Sequence, residues 1–204
     1  RRTRPYVAAA VALVVLTGVV LASAALRLRL YQDAYGWTEL RFHVLAAIIW
    51  LALCLVAAAG TLLAGRTRWL PHLVVVLGLA VAGVVNALGP QATVARENLA
   101  RALDPALVPP GGEIGFDAAY AASLGDDAVP LLVDALPRLP VEVRPAVAQA
   151  LARRLAALEA EAAGAGWPSW NLARERALAS LQAVRAELPP VRRDPFLDEM
   201  YERP

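Results

Sequence analysis

The run from Pro5 to Leu26 constrains this chain more than any other feature: twenty-two residues without a charge, with Arg1, Arg2 and Arg4 before it and Arg27 and Arg29 after it. At ~1.5 Å of rise per residue, a helix of that length crosses the roughly 30 Å hydrocarbon layer of a bilayer. Two further runs follow, from about Phe42 to Ala64 and from Trp69 to Leu88. A basic start, an apolar core and Ala22-Ser23-Ala24 also imitate a secretory signal. That core, however, is longer than the ~7–15 residues usual for a signal, and two more spans come after it. A helix that stays in the membrane is therefore expected. The chain begins with Arg instead of Met, so it is expected to be an internal piece of a longer protein.

Composition divides the 204 residues at the same place. The chain is 58% apolar with a mean hydropathy of +0.49, above the ~45–50% apolar share of soluble domains, which excludes both an ordinary soluble domain and a disordered chain. Residues 1–89 carry eight Arg against Asp33 and Glu39, net +6, whereas residues 90–204 carry twelve Arg against sixteen acids, net −4. The pI near 9.0 averages two unlike halves. Its basic charges flank apolar runs and its polar half is acidic, so nucleic acid is not an expected partner. Lys is absent, and Ala, Leu, Val and Arg dominate, as coding bias in a GC-rich bacterium would produce. The single Cys54 lies inside an apolar run and has no partner for an intrachain disulfide.

Between the second and third runs, Gly65-Arg66-Thr67-Arg68 is only a four-residue turn, which forces an antiparallel helical hairpin. Tyr6, Tyr31, Tyr35, Trp37 and Trp69 fall near predicted helix ends, as headgroup-level aromatics do, while Trp50 does not. The Arg distribution gives no orientation. The N-terminus and the turn supply five Arg on one side, and Arg27, Arg29, Arg41, Arg96 and Arg101 supply five on the other. Within the spans the polar residues that are candidates for function are His43, Cys54, His72 and Asn86. Each histidine begins one arm of the hairpin, which separates the two by ~25–30 Å and excludes a shared metal. Folding the hairpin brings Asn86 level with Ala47, about one turn from His43, within reach of a hydrogen bond. Gly78, Ala82 and Asn86 form a small-residue stripe permitting close helix approach. Cys54 reads as a small apolar filler.

The segment LRLYQDAYGWTELR, residues 28–41, is too polar to span and is read as an interfacial loop. It resembles the signature of bacterial multi-pass membrane proteins grouped as domains of unknown function 4153 and 4173. NALGPQATVARENLAR (86–101), YAASLGDDAVPLL (120–132) and WPSWNLARER (167–176) are similar to the same family, in the same order. The resemblance implies a longer protein with further spans upstream, and an inner (plasma) membrane location. It implies no reaction, cofactor or catalytic residue.

Both ends of the hairpin away from its turn face one side of the membrane. That places Tyr31, Asp33, Tyr35, Glu39, Arg41 and His43 with Asn86, Gln91, Arg96, Glu97 and Asn98. Within this cluster the candidate ligand-binding residues are Tyr31, Tyr35, Glu39, Arg41, His43, Asn86, Arg96 and Asn98. On the functional reading they hold a headgroup, ion or small polar substrate, with Arg41 or Arg96 on an anion and Glu39 or Asp33 balancing it. On the structural reading Glu39, Arg41 and Arg96 pair with one another around a capped loop.

Gly89-Pro90 ends the third span, and a helix restarts over Gln91–Leu103. Pro105 and Pro109-Pro110-Gly111-Gly112 mark a linker near 104–115. Short helices are expected over Asp117–Ser123 and Asp127–Leu136, the second with Asp126 as N-cap and Pro130 in its first turn. Val141–Ala163 reads as a long helix with an apolar stripe of Val147, Leu151, Leu155 and Leu158. After Gly164–Gly166, Ser169 is the expected cap of a last helix reaching about Leu188, buried through Leu172, Leu178, Leu181 and Val184. Residues 127–158 also resemble one HEAT-type helical hairpin, read as a helix pair packing on that last helix. With no β alternation, the class is all-α.

The tail has no His and no Cys to activate a nucleophile. The chain carries no phosphate-loop, dinucleotide or zinc-hydrolase motif, and Asp126-Asp127 reads as a cap rather than a catalytic dyad. Trp167 and Trp170 bracket Pro168 as a ligand clamp or, more simply, as a lock on a helix start. No catalytic residue, metal or cofactor is expected. The expected organisation is three transmembrane helices (about 5–26, 42–64 and 69–88) followed by an acidic helical domain, 90–204. The expected function is that of a non-enzymatic component of the bacterial inner membrane, in contact with the lipid bilayer and with a protein partner for its tail. The alternative is a transporter or lipid-handling protein working through the interfacial cluster.

Overall fold

The computed structural model of the chain describes residues 4–112, 115–164 and 171–191, and among these every regular element is helical. By their internal contacts the residues group into two units, Arg1–Pro90 with Val108–Glu113, and Gln91–Leu107 with Ile114–Pro204.

The first unit holds α1 (Arg4–Tyr35), α2 (Glu39–Leu63) and α3 (Leu70–Leu88), with a 3₁₀ turn at Thr67–Trp69. All three helices are long and apolar enough to cross a membrane. α2 is central, packing against both α1 and α3. Large apolar side chains such as Leu13 (66% exposed), Val20 (69%), Val56 (71%) and Leu79 (69%) point away from the protein. Water would penalise that surface, whereas hydrocarbon solvates it. Pro71 lies in the first turn of α3, where its missing N–H costs little. Gly89 closes α3 by donating its N–H to the Asn86 carbonyl at 3.3 Å.

Two features of this unit differ from expectation. The segment 28–41 is mostly helix, because nothing in it breaks α1 before Gly36; only Gly36, Trp37 and Thr38 are non-helical. Trp50, which fits no interfacial belt, packs against the third helix. A Cβ on Gly78 would stand 3.3 Å from the Trp50 indole nitrogen, so glycine makes room for the ring. That nitrogen donates to the Val74 carbonyl at 3.3 Å, satisfying the only polar atom of the indole inside the hairpin. The small-residue stripe is used at Gly78, while Ala82 and Asn86 are exposed.

The second unit contains α4 (Pro90–Leu103), α5 (Ala118–Ser123), α6 (Val129–Ala135), α7 (Arg144–Gly164) and α8 (Leu172–Ala183). Asp117 caps α5 by accepting the Tyr120 N–H at 2.8 Å. Pro130 starts α6 and Pro137 limits it, since an interior proline removes a helical hydrogen bond. The stripe Val147, Leu151, Leu155 and Leu158 is buried and meets Leu132, Leu139, Ala177 and Leu181 in one core. α8 packs on both α6 and α7. Three local expectations fail. Asp126 caps nothing, because its carboxylate is bound by Arg154. Asn171, in place of Ser169, caps α8 by accepting the N–H groups of Ala173 (2.9 Å) and Arg174 (3.4 Å). Leu172 is 46% exposed, because Ala177 and Leu181 face the core instead. Ser169, Trp167 and Trp170 lie outside the described residues.

Leu158 is fully buried. Leu158→Ala should therefore lower the opening free energy of α7 amides by about 2–5 kcal/mol, read by hydrogen exchange on the solubilised full chain. Leu172→Ala should change it by less than about 0.5 kcal/mol. Equal effects would contradict the burial pattern.

Candidate functional site

Five of the eight candidate residues gather at the corner between α1 and α2. Tyr31 and Tyr35, one helical turn apart, stack with ring centroids 5.8 Å apart and an interplanar angle of 27°, and both are exposed. α1 ends when the chain reaches Gly36 at φ 78°, a left-handed conformation that glycine adopts without a steric penalty. The Gly36 N–H donates to the Gln32 carbonyl at 2.9 Å, closing the helix. Thr38 then starts α2 as its N-cap, its hydroxyl accepting the Arg41 N–H at 3.2 Å. Glu39 stands in the first turn of α2, where the helix dipole favours a carboxylate.

Arg41 reaches back across the corner. Its Nη1 donates to the Gly36 carbonyl at 2.7 Å and approaches the Tyr35 carbonyl at 3.4 Å. A cation at the end of α1 satisfies carbonyls that have no partner within the helix and complements the negative end of its dipole. The same side chain thus caps one helix from the first turn of the next. Its charge is directed onto backbone oxygen. His43 turns onto its own helix, donating from Nδ1 to the Glu39 carbonyl at 2.7 Å, with Phe42 buried beside it in an edge-on contact. The hydrogen bond expected between His43 and Asn86 is therefore not made, and the Asn86 side chain is exposed in the last turn of α3. Arg96 and Asn98 belong to the second unit. On α4, Val94, Ala95 and Leu99 are buried while Arg96 is exposed and Asn98 half-buried.

Sequence reasoning missed Gln32, which is 2% exposed, with its amide nitrogen buried and unpaired. Reading 28–41 as a loop hid it, since only continuation of the α1 register turns position 32 inward. It also missed the ion network of the second unit. Arg154 binds Asp126 through Nε to Oδ1 at 2.8 Å and Nη2 to Oδ2 at 3.0 Å, with Nη2 also 2.7 Å from Oδ1, and reaches Glu161 at 3.1 Å. Arg174 of α8 lies 3.4 Å from the same Glu161, joining α7 to α8. Burial opposes the charged Arg154 guanidinium, but its hydrogen bonds to Asp126 and Glu161 and their charges outweigh that and hold its pKa above the ordinary value. Among the described residues no three His, Cys, Asp or Glu side chains converge as a metal site would require. The corner offers stacked aromatic faces and a stapled turn, and the tail an ion network that locks helices together.

Comparison with known proteins gives one match. The family model "Domain of unknown function (DUF4153)" covers residues 1–135, which includes the corner and all of α4, α5 and α6 but not the WPSWNLARER stretch. No curated protein and no solved structure matches the chain.

Arg41→Ala should free the end of α1 and lower the melting temperature of the solubilised protein, costing about 1–2 kcal/mol, with Arg41→Lys intermediate. Asp126→Asn should cost about 1–3 kcal/mol, because Asp126 is nearly buried and Arg154 then loses its main partner. Glu161→Gln, more exposed, should cost under about 1 kcal/mol.

Proposed function

This chain belongs to the DUF4153 family of domains of unknown function, and from that premise we propose that it is a non-enzymatic component of the bacterial inner membrane whose helical tail engages a protein partner. One observation carries the reading. The residues after α3 build a core of their own, centred on Leu132, Leu151, Leu155, Leu158 and Leu181, in a unit distinct from the membrane-length helices. A separately folded body next to membrane spans suits presentation of a surface.

The fate of the tail's polar groups supports the same reading. Asp117 and Asn171 cap helices, Asp104 accepts the Ala106 N–H at 3.0 Å, and Arg154, Asp126, Glu161 and Arg174 hold helices together. These side chains maintain the fold, and none is spare for a reaction. Val141 (72% exposed) and Leu172 (46%) are, with Leu107 and Val191, the large apolar residues that the described part of this unit exposes, and Glu142 and Glu175 lie near the first two in sequence.

Photo-crosslinking residues placed singly at positions 141 and 172 of the full-length protein in cells test this. A discrete, reproducible adduct to one protein is expected at either position. It should weaken when the neighbouring acids Glu142 or Glu175 are reversed to Arg. Adducts to lipid alone, or an unselective smear unaffected by those reversals, would overturn the reading.

A further inference from the structure

The turn end of the α2–α3 hairpin contains an open cavity of roughly 530 Å³ between Gly60, Thr61 and Arg66 on one side and Trp69, His72 and Val76 on the other. That volume lies within the ~300–1,000 Å³ typical of small-ligand sites. Its lining is graded along the helices. Arg66, Trp69 and His72 form the rim at the turn, and Leu73, Val76 and the bare backbone of Gly60 form the floor. A Cβ on Gly60 would meet no atom within 4 Å, so the glycine leaves that floor open. Val76 is seven residues along from Trp69, which places it about 10 Å deeper by helical rise.

The rim is cationic, and no acid of the first unit's described residues stands beside it. Among the described residues of the first unit the carboxylates are Asp33 and Glu39, both at the other end of α2, and α2 has 25 residues. At ~1.5 Å per residue that is close to 37 Å, several times the ~8 Å screening length of physiological salt. The Arg66 guanidinium forms no ion pair or side-chain hydrogen bond with any described residue. Beside the rim the Arg68 guanidinium lies 5.8 Å from the Trp69 ring centroid, and the Trp69 and His72 rings meet at 5.7 Å with a 56° tilt. The Thr61 hydroxyl is already committed, donating to the Ala57 carbonyl at 2.8 Å, so it does not compete for an anion.

We propose that this cavity binds an anionic glycerophospholipid, with Arg66 and His72 holding the phosphate at the rim and an acyl chain lying over Gly60, Leu73 and Val76. The gradient from cationic rim to apolar floor distinguishes a lipid from a free phosphate. A free anion would use the rim and leave the floor empty. The vertical order of rim and floor matches the order of headgroup and acyl chain in a leaflet.

The test uses the full chain in detergent, titrated with phosphatidylglycerol, phosphatidylcholine or inorganic phosphate and read by native mass spectrometry. Phosphatidylglycerol should bind at least about fivefold more tightly than phosphatidylcholine. The double variant Arg66→Gln/His72→Gln should erase that preference, and Gly60→Leu should weaken both lipids by filling the floor. A second measurement needs no altered cation: brominated phosphatidylglycerol should quench wild-type fluorescence more than brominated phosphatidylcholine does, and Trp69→Phe should remove the difference. Equal affinity for the two lipids, an unchanged preference in the double variant, or displacement of the lipid by millimolar phosphate would each overturn the proposal.

Discussion

In hydrocarbon no water is available to take up a backbone N–H or C=O, so each apolar segment must satisfy its own hydrogen bonds. That requirement makes α1, α2 and α3 helices whatever their individual propensities, and the β-branched Val runs of α1 and α3 would otherwise favour strand. It also moves the difficulty to the ends. Each helix leaves terminal carbonyls and N–H groups without partners, and the connections between helices are short. The corner after Tyr35 and the turn after Leu63 are therefore the places where sequence is most tightly specified.

At the corner both ends are satisfied by side chains, the start of α2 by Thr38 and the end of α1 by Arg41. Gly36 reverses the chain, Thr38 starts α2, and Arg41 returns to the Gly36 and Tyr35 carbonyls. A glycine and two side chains within six positions thus join a helix end to a helix start. Such a joint fixes where Tyr31, Tyr35 and His43 stand in the interface. Their placement follows from backbone capping, and this accounts for a polar cluster at the corner without invoking a bound substrate.

Much of this was legible in the sequence because the solvent imposes a simple pattern. Three membrane-length helices follow from charge-free length, the α2–α3 hairpin from a four-residue turn, and the α7 stripe from apolar spacing of three and four, whereas α1 continues past the expected end at Leu26 to Tyr35. The departures share one cause: a side chain's partner lies elsewhere in the chain. Asp126 stands in a good capping position, yet Arg154, twenty-eight residues on, takes its carboxylate. Trp50 fits no interfacial belt because its place is inside the hairpin, in the space that Gly78 on another helix provides. Gln32 turns inward only once α1 is known to continue through a polar segment. Arg41 invites a carboxylate partner by charge alone, but the nearest unsatisfied acceptors are main-chain oxygens, which composition does not reveal.

The two ends of the membrane unit solve the same problem with opposite chemistry. At the corner, the positive charge of Arg41 is absorbed by helix-end carbonyls, with Glu39 and Asp33 nearby in sequence. At the turn, the described residues of the first unit place no acid beside Arg66 and Arg68, and the Arg68 guanidinium lies over the Trp69 ring. A guanidinium satisfied by backbone is largely spent as a recognition element, whereas one held by ring stacking keeps its hydrogen-bond donors free. Capping thus consumes the chemistry of the polar-rich corner, and the chemically sparser turn retains binding capacity. In a protein whose solvent is lipid, the anion that such a turn meets at highest concentration is the phosphate of the leaflet around it.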